Sequence, residues 1–246
     1  GEARARMTPD ELQALRARFN HETERIARAA LAVGRDPASV RLLAVSKFQP
    51  IEAIRAAYAW GQRDFGENYV QELVGKAETL VDLPELRWHL IGHLQSNKAK
   101  TVVGLVESIQ TVSSVKLARE LGARVRERRA PDQGPLGVFI ELDLAGEANK
   151  SGAPPELLTE LLGAIEQEAG LALRGLMTIP PACENPQEAR PYFERLAALR
   201  DAHGGIARLP ELSMGMSHDA EQAILAGATW VRIGTALFGS RPATKA

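Results

Sequence analysis

Apolar positions recur at helical spacing from the start of the chain. Leu12, Leu15, Phe19, Ile26, Ala30 and Val33 fall on one face of a predicted first helix. Thr8, Pro9, Asp10 and Glu11 form a capping-box sequence with proline at the first helical position, and Gly34 supplies the stop. Beyond it the pattern alternates. Short apolar runs at 41–46, 63–66, 87–91, 105–109, 136–142, 173–178, 211–214 and 230–233 predict eight strands. Helical segments at about 51–60, 68–80, 96–103, 114–129, 155–169, 187–203 and 218–227 separate them, and a short helix follows the last strand. Strand–helix alternation implies a parallel sheet. Eight units predict closure into a (β/α)8 barrel, here with an added N-terminal helix. An open doubly wound sheet is the alternative, because the second and seventh runs are short. Pro191 either kinks its helix or marks the true first turn. No repeat, low-complexity linker or shift of composition divides the chain, so residues 1–246 read as a single domain.

Composition narrows the class. The 246 residues suit one such barrel, and 30 basic against 31 acidic residues leave no surplus for nucleic acid or a membrane surface. The basic run at Arg124–Arg129 reads as the solvated end of a helix. A single cysteine, Cys183, forms no intrachain disulfide and suits a cytoplasmic location. The first residues lack the apolar core of a signal peptide, no run reaches the length of a membrane span, and Met7 offers a natural start.

Active sites of such barrels lie at the C-terminal ends of the strands, so the residues that end each apolar run matter most. Lys47 directly follows 42–46, where partial desolvation favours a nucleophilic amine. The plainer readings are a lysine snorkelling to solvent or one paired with a carboxylate such as Glu67. Ser213 to Ser217 precede a helix, and Arg232 to Thr235 close the last strand. A helix N-terminus facing a Gly–Thr turn can cradle a phosphate. Simple capping by Ser217 and a tight turn at Gly234 are the alternatives. His89 and His93 stand four apart, but Gly92 and the strand-like run argue against a metal site. No nucleophile elbow, P-loop or dinucleotide fingerprint occurs.

Seven blocks, in order, carry a resemblance: LLAVSKFQP (42–50), FGENYVQE (65–72), WHLIGHLQSNK (88–98), NKSG (149–152), GLMTIPP (175–181), LSMGMSHD (212–219) and VRIGTALFG (231–239). With them the chain resembles the YggS/PROSC-type pyridoxal phosphate homeostasis proteins over nearly all its length after the first helix. The resemblance implies the fold of the N-terminal domain of alanine racemase and pyridoxal 5′-phosphate (PLP) as cofactor. It implies that Lys47 is the Schiff-base lysine, that Ser217, Gly234 and Thr235 cradle the phosphate, and that Arg232 meets the pyridine nitrogen. Asn68 and Met214 would contact the cofactor, and His89 would line the site near the ring. Two places depart from the family pattern. The segment 141–149 replaces its usual run before Lys-Ser-Gly, and His218 stands where Ser or Asp is common.

An arginine at the pyridine nitrogen disfavours the protonated ring that draws electrons most strongly. Racemisation also needs a second base, which alanine racemase takes from a tyrosine of a further domain. Tyr58, Tyr69 and Tyr192 end no strand here. The expected protein is therefore a PLP carrier acting in homeostasis without appreciable turnover, a monomer or weak dimer, with apo PLP-dependent enzymes as recipients. A single-domain amino-acid racemase is the first rival, and a Schiff-base aldolase acting on a sugar phosphate the second.

Overall fold

The computed structural model describes residues 6–146 and 151–240. Eight parallel strands close into a barrel in sequence order. They are β1 (Arg41–Val45), β2 (Asp64–Glu67), β3 (Arg87–Leu90), β4 (Val106–Val112), β5 (Leu136–Glu141), β6 (Leu171–Met177), β7 (Glu211–Ser213) and β8 (Trp230–Ile233). Closure is made by β1 against β8, with Leu43 opposite Arg232 and Ala44 opposite Ile233, which rules out the open sheet. Around the barrel run α2 (Ile51–Ala59), α3 (Val70–Thr79), α4 (Ala99–Val102), α5 (Val115–Arg128), α6 (Leu158–Glu166), α7 (Arg190–Ala202), α8 (Gly205–Arg208), α9 (Ala220–Leu225) and α10 (Thr235–Phe238), preceded by α1 (Pro9–Ala32). Pro191 sits in the first turn of α7 and kinks nothing.

The period of two along each strand sorts residues between two cores. Leu43, Val45, Ile91, Phe139, Met177 and Trp230 fill the barrel interior. Their neighbours Ala44, Leu90, Ile140, Leu176 and Val231, together with Phe65 on β2, belong to the larger core shared with the helices. Gly175 is glycine for lack of room: a Cβ there would lie 1.7 Å from the Glu211 carbonyl oxygen.

α1 begins with the capping box expected of Thr8 and Glu11. Two of its arginines, and Arg35 just beyond its end, reach across to the last strand–helix units. Arg18 Nε donates to the Leu237 carbonyl (2.7 Å), Arg25 Nη2 to that of Ser217 (3.1 Å), and Arg35 to those of Ile224 and Ala228. Phe19 packs edge-on against both Trp60 and Phe238. At α5 the run 124–129 is only partly solvated. Arg129 is buried and donates to the carbonyls of Val103 and Val106. Among the described residues no helix is long and apolar enough to cross a membrane, and no group of three His, Cys, Asp or Glu side chains is placed to hold a metal.

Candidate functional site

The C-terminal ends of the strands open into a cavity of about 640 Å³. Val45, Lys47 and Gln49 line it from β1 and its loop, Asn68 from β2, Ile91 from β3, residues 179–183 from β6, residues 216–219 from β7, and Arg232, Gly234 and Thr235 from β8. Inward positions recur every second residue, so Lys47 continues the series Leu43 and Val45 one step beyond the strand. It is half-buried and has no ion-pair or hydrogen-bond partner among the described residues. Glu67, the carboxylate that could have neutralised it, is held instead by Lys76 (2.5 Å). Burial raises the Glu67 carboxyl to about 7 against the pull of that ammonium.

Asn68 follows Glu67, and its Oδ1 is buried without a hydrogen-bond partner among the described residues. Gly92 lets the two loops meet, since a Cβ there would fall 1.9 Å from the Asn68 carbonyl oxygen. Arg232 rises from the barrel interior almost fully buried. It donates to Ser213 Oγ (2.8 Å) and to the Thr178 carbonyl (3.1 Å), while Ser213 donates to Gln110 Oε1. Burial lowers its pKa to about 10 and Glu141 pulls it back up, so the guanidinium stays charged near neutral pH. Burial raises the pKa of Glu141 in turn, opposed by its hydrogen bond from Ser151.

The loop after β7 differs from the expected helix start. α9 begins at Ala220, because Asp219 Oδ1 accepts the Met216 N–H (2.7 Å) and the Asp219 N–H returns to the Met216 carbonyl (3.1 Å). Residues 216–219 thus form a turn, and Ser217 lies within it rather than capping the helix. The N–H groups of Ser217 and His218 meet no acceptor among the described residues. The Thr235 N–H, in the first turn of α10, has no acceptor among the described residues, for the usual reason that such groups have no helical partner.

Six of the expected residues, Lys47, Asn68, Ser217, Arg232, Gly234 and Thr235, therefore share one cavity. Two do not. Met214 is fully buried in the main core, and Met216, two residues on, lines the cavity in its place. His89 points into the barrel one layer too low. Its Nε2 meets Asp64 (2.8 Å), its Nδ1 meets Ser108 (2.7 Å), and its ring packs on Trp230. Ile91 occupies the mouth on the same strand. Asn149 and Lys150 of the NKSG block lie outside the described residues. The wall from 179 to 183 was not foreseen, although its Ile-Pro-Pro sequence after β6 was a usable signal.

The family model for the alanine racemase N-terminal domain matches residues 12–242. The Pyridoxal phosphate homeostasis protein of Pseudomonas aeruginosa is 49% identical over 218 residues, spanning 88% of this chain and 91% of that protein. This chain belongs to the pyridoxal phosphate homeostasis protein family. A second pyridoxal phosphate homeostasis protein, from Aquifex aeolicus, is 44% identical over 91% of this chain and 97% of its own. PipY of Synechococcus elongatus, solved with PLP bound, aligns with a TM-score of 0.73 at 41% identity, over 87% of this chain and all of PipY.

Proposed function

We propose that the barrel mouth binds PLP, holds it covalently on Lys47, and serves PLP homeostasis as a carrier that does not turn substrate over. The carrying observation is the meeting, in one cavity, of a lysine amine, a buried arginine and a loop with free N–H groups, the amine and the N–H groups having no partner among the described residues.

The residues fit the group. Ser217, His218 and Thr235 offer unused donors suited to a phosphate dianion. Packing alone does not demand glycine at 234, since a Cβ there would come no nearer than 3.4 Å to another protein atom. The orphaned Asn68 Oδ1 is an acceptor for a hydroxyl. When bound, PLP supplies an aldehyde that condenses with a primary amine, releasing one water, and a pyridine ring able to draw electrons from a bond attached there. Lys47 presents that amine. Arg232 can donate to a pyridine nitrogen but cannot accept its proton, which keeps electron withdrawal weak.

A racemase needs a proton acceptor opposite the lysine. No tyrosine lines the cavity among the described residues. His218 Nε2 is within 3.1 Å of the Glu184 carbonyl oxygen, and Asp219 Oδ1 is committed to the Met216 N–H. The recipients would be apo PLP-dependent enzymes, and the compartment the cytoplasm. Two measurements test the proposal. Borohydride reduction of the PLP-loaded protein, followed by peptide mass spectrometry, should place the label on Lys47. Incubation with an L-amino acid in D2O should show no α-proton exchange at enzyme-like rates. A label on Lys98 refutes the assignment, and rapid exchange favours the racemase.

A further inference from the structure

Behind the cavity, between the end of β2 and α3, lies a cluster that the PLP site does not use. The ammonium of Lys76 is buried and donates to the Ser46 carbonyl (2.6 Å), Glu67 Oε1 (2.5 Å) and Glu72 Oε2 (2.7 Å). That engages all three of its hydrogens. Ser46 Oγ donates to the same Glu67 oxygen (3.0 Å), and the Phe48 N–H donates to the same Glu72 oxygen (2.7 Å).

Two of these contacts fall on the backbone around Lys47. The Ser46 carbonyl belongs to the peptide unit before Lys47, and the Phe48 N–H to the unit after it. Fixing both planes fixes φ and ψ of Lys47, and with them the direction in which its side chain leaves the backbone. The turn is tightened further by the Gln49 N–H on the Ser46 carbonyl (3.0 Å). Phe48 is the single non-glycine residue with positive φ among those described (62°), a conformation that needs its surroundings to hold it. A buried ammonium between two carboxylates is a poor way to gain stability compared with apolar packing. Its worth here is positional.

We propose that the Glu67–Lys76–Glu72 cluster is a positioning device that grips both peptide units flanking Lys47 and aims its amine into the cavity. Lys76 and Glu72 touch the backbone directly, and Glu67 holds Lys76 in place. This rests on the reading of the cavity as a PLP site, so its test includes a measurement that needs no PLP.

Glu72→Ala removes the acceptor for the Phe48 N–H. Glu72→Gln keeps an acceptor oxygen at the same reach. In Glu72→Ala, the rate constant for borohydride-trapped attachment of PLP to Lys47 should fall about tenfold or more, as expected for a misaimed nucleophile. Glu72→Gln should restore most of that rate. Affinity for 4-deoxypyridoxine 5′-phosphate, which lacks the aldehyde, should be unchanged in both. Competitive acetylation by limiting acetic anhydride should show Lys47 of Glu72→Ala moving toward the reactivity of exposed Lys116. Lys76→Met should reproduce the pattern from the other grip, with a lower melting temperature. If Lys76→Met fails to fold, the Ala–Gln pair at Glu72 decides alone. Equal attachment rates and equal Lys47 acetylation in parent and Glu72→Ala overturn the proposal. So does a parallel loss of deoxypyridoxine phosphate affinity, which would mark a collapsed cavity. A parent that takes up no PLP, yet shows the acetylation shift, refutes the PLP reading and leaves the positioning role standing.

Discussion

The two ends of this barrel are built from similar side chains and treat them oppositely. At the N-terminal end, Asp64 is met by Arg87 (2.9 Å), Arg41 (3.3 Å) and His89 (2.8 Å), Arg41 stacks over Trp230 at 4.0 Å, and the Trp230 N–H donates to Glu211 (2.9 Å). Each charge there faces its opposite. At the C-terminal end, Lys47 has no partner among the described residues, Asn68 Oδ1 is orphaned, and the 216–219 turn leaves N–H groups idle. Buried polar groups normally find partners. Glu211 Oε2 at the N-terminal end also lacks a hydrogen-bond partner among the described residues, but it lies 3.6 Å from the Arg174 guanidinium. What sets the C-terminal end apart, in a fold whose sites form there, is that its unused donors and acceptors line a cavity.

The sharpest way to break this contrast is to exchange expectations between the ends. Lys47→Ala should abolish borohydride-fixed PLP entirely while shifting the melting temperature little, because the side chain supports nothing else. Retained label in that variant would show that the C-terminal end holds PLP by another group. Asp64→Ala should do the reverse. It leaves half-exposed Arg87 to solvent but strands buried His89, and a buried polar group left without its partner costs about 1–3 kcal/mol. At about 2–4 °C per kcal/mol for a chain of this size, melting should fall by roughly 2–12 °C. PLP affinity of the folded fraction, measured by fluorescence titration below the transition, should be unaltered. A matching loss of affinity would mean that the ends are coupled.

Weaker effects refine the picture. Ser217→Ala combined with Thr235→Ala should narrow the preference for PLP over pyridoxal by about tenfold or more, since each charge-assisted hydrogen bond is worth roughly 1.5–3 kcal/mol. Inorganic phosphate should also compete less well. An unchanged preference would assign phosphate recognition to the backbone N–H groups alone.

The smallest effect is in pH dependence, where two carboxyls act with opposite sign. For Asp64, burial works upward, but the hydrogen bonds from His89 and Arg87 outweigh it and hold the group well below the carboxylate range. Its stabilisation is present above about pH 4 and is lost as pH falls. Glu67 is raised to about 7, so its stabilisation is complete in acid and fades as pH rises through 7. Urea midpoints measured from pH 5 to 8 should therefore decline less in Glu67→Gln than in the parent. Parallel curves would show Glu67 already ionised in acid.

How much of this was legible in the sequence follows from what each residue answers to. The strands were legible because buried parallel strands are short apolar runs, and β1 announced Lys47 by ending in the four apolar residues Leu42 to Val45, two positions before it. Height along the barrel axis was not legible. His89 and Ile91 share a face of β3, and only the register with Gly66 and Ser108 puts His89 in the interior rather than at the mouth. The same one-step ambiguity exchanged Met214 for Met216. The start of α9 was misplaced because Ser217 and Asp219 are both good caps, and the Asp219 carboxylate closed a turn instead. Lys76 gave no signal, since a lysine on α3 is ordinarily solvated and only the fold carries it under the Lys47 turn.

The arginines of α1 set an order on how the molecule is assembled. Arg18 and the Leu237 carbonyl are 219 positions apart, and Arg25 and that of Ser217 are 192 apart. A growing chain emits α1 early and must hold it without these partners until the last two strand–helix units have left the ribosome. Contacts of such long separation form late, because the intervening loop must first be closed. The 216–219 turn, whose free N–H groups lie at the cavity, thus acquires its support in one of the last folding events. A nascent chain stalled before β7 would already contain Lys47 and β2, one of the two partners of β1, yet it would have no turn to receive an anion.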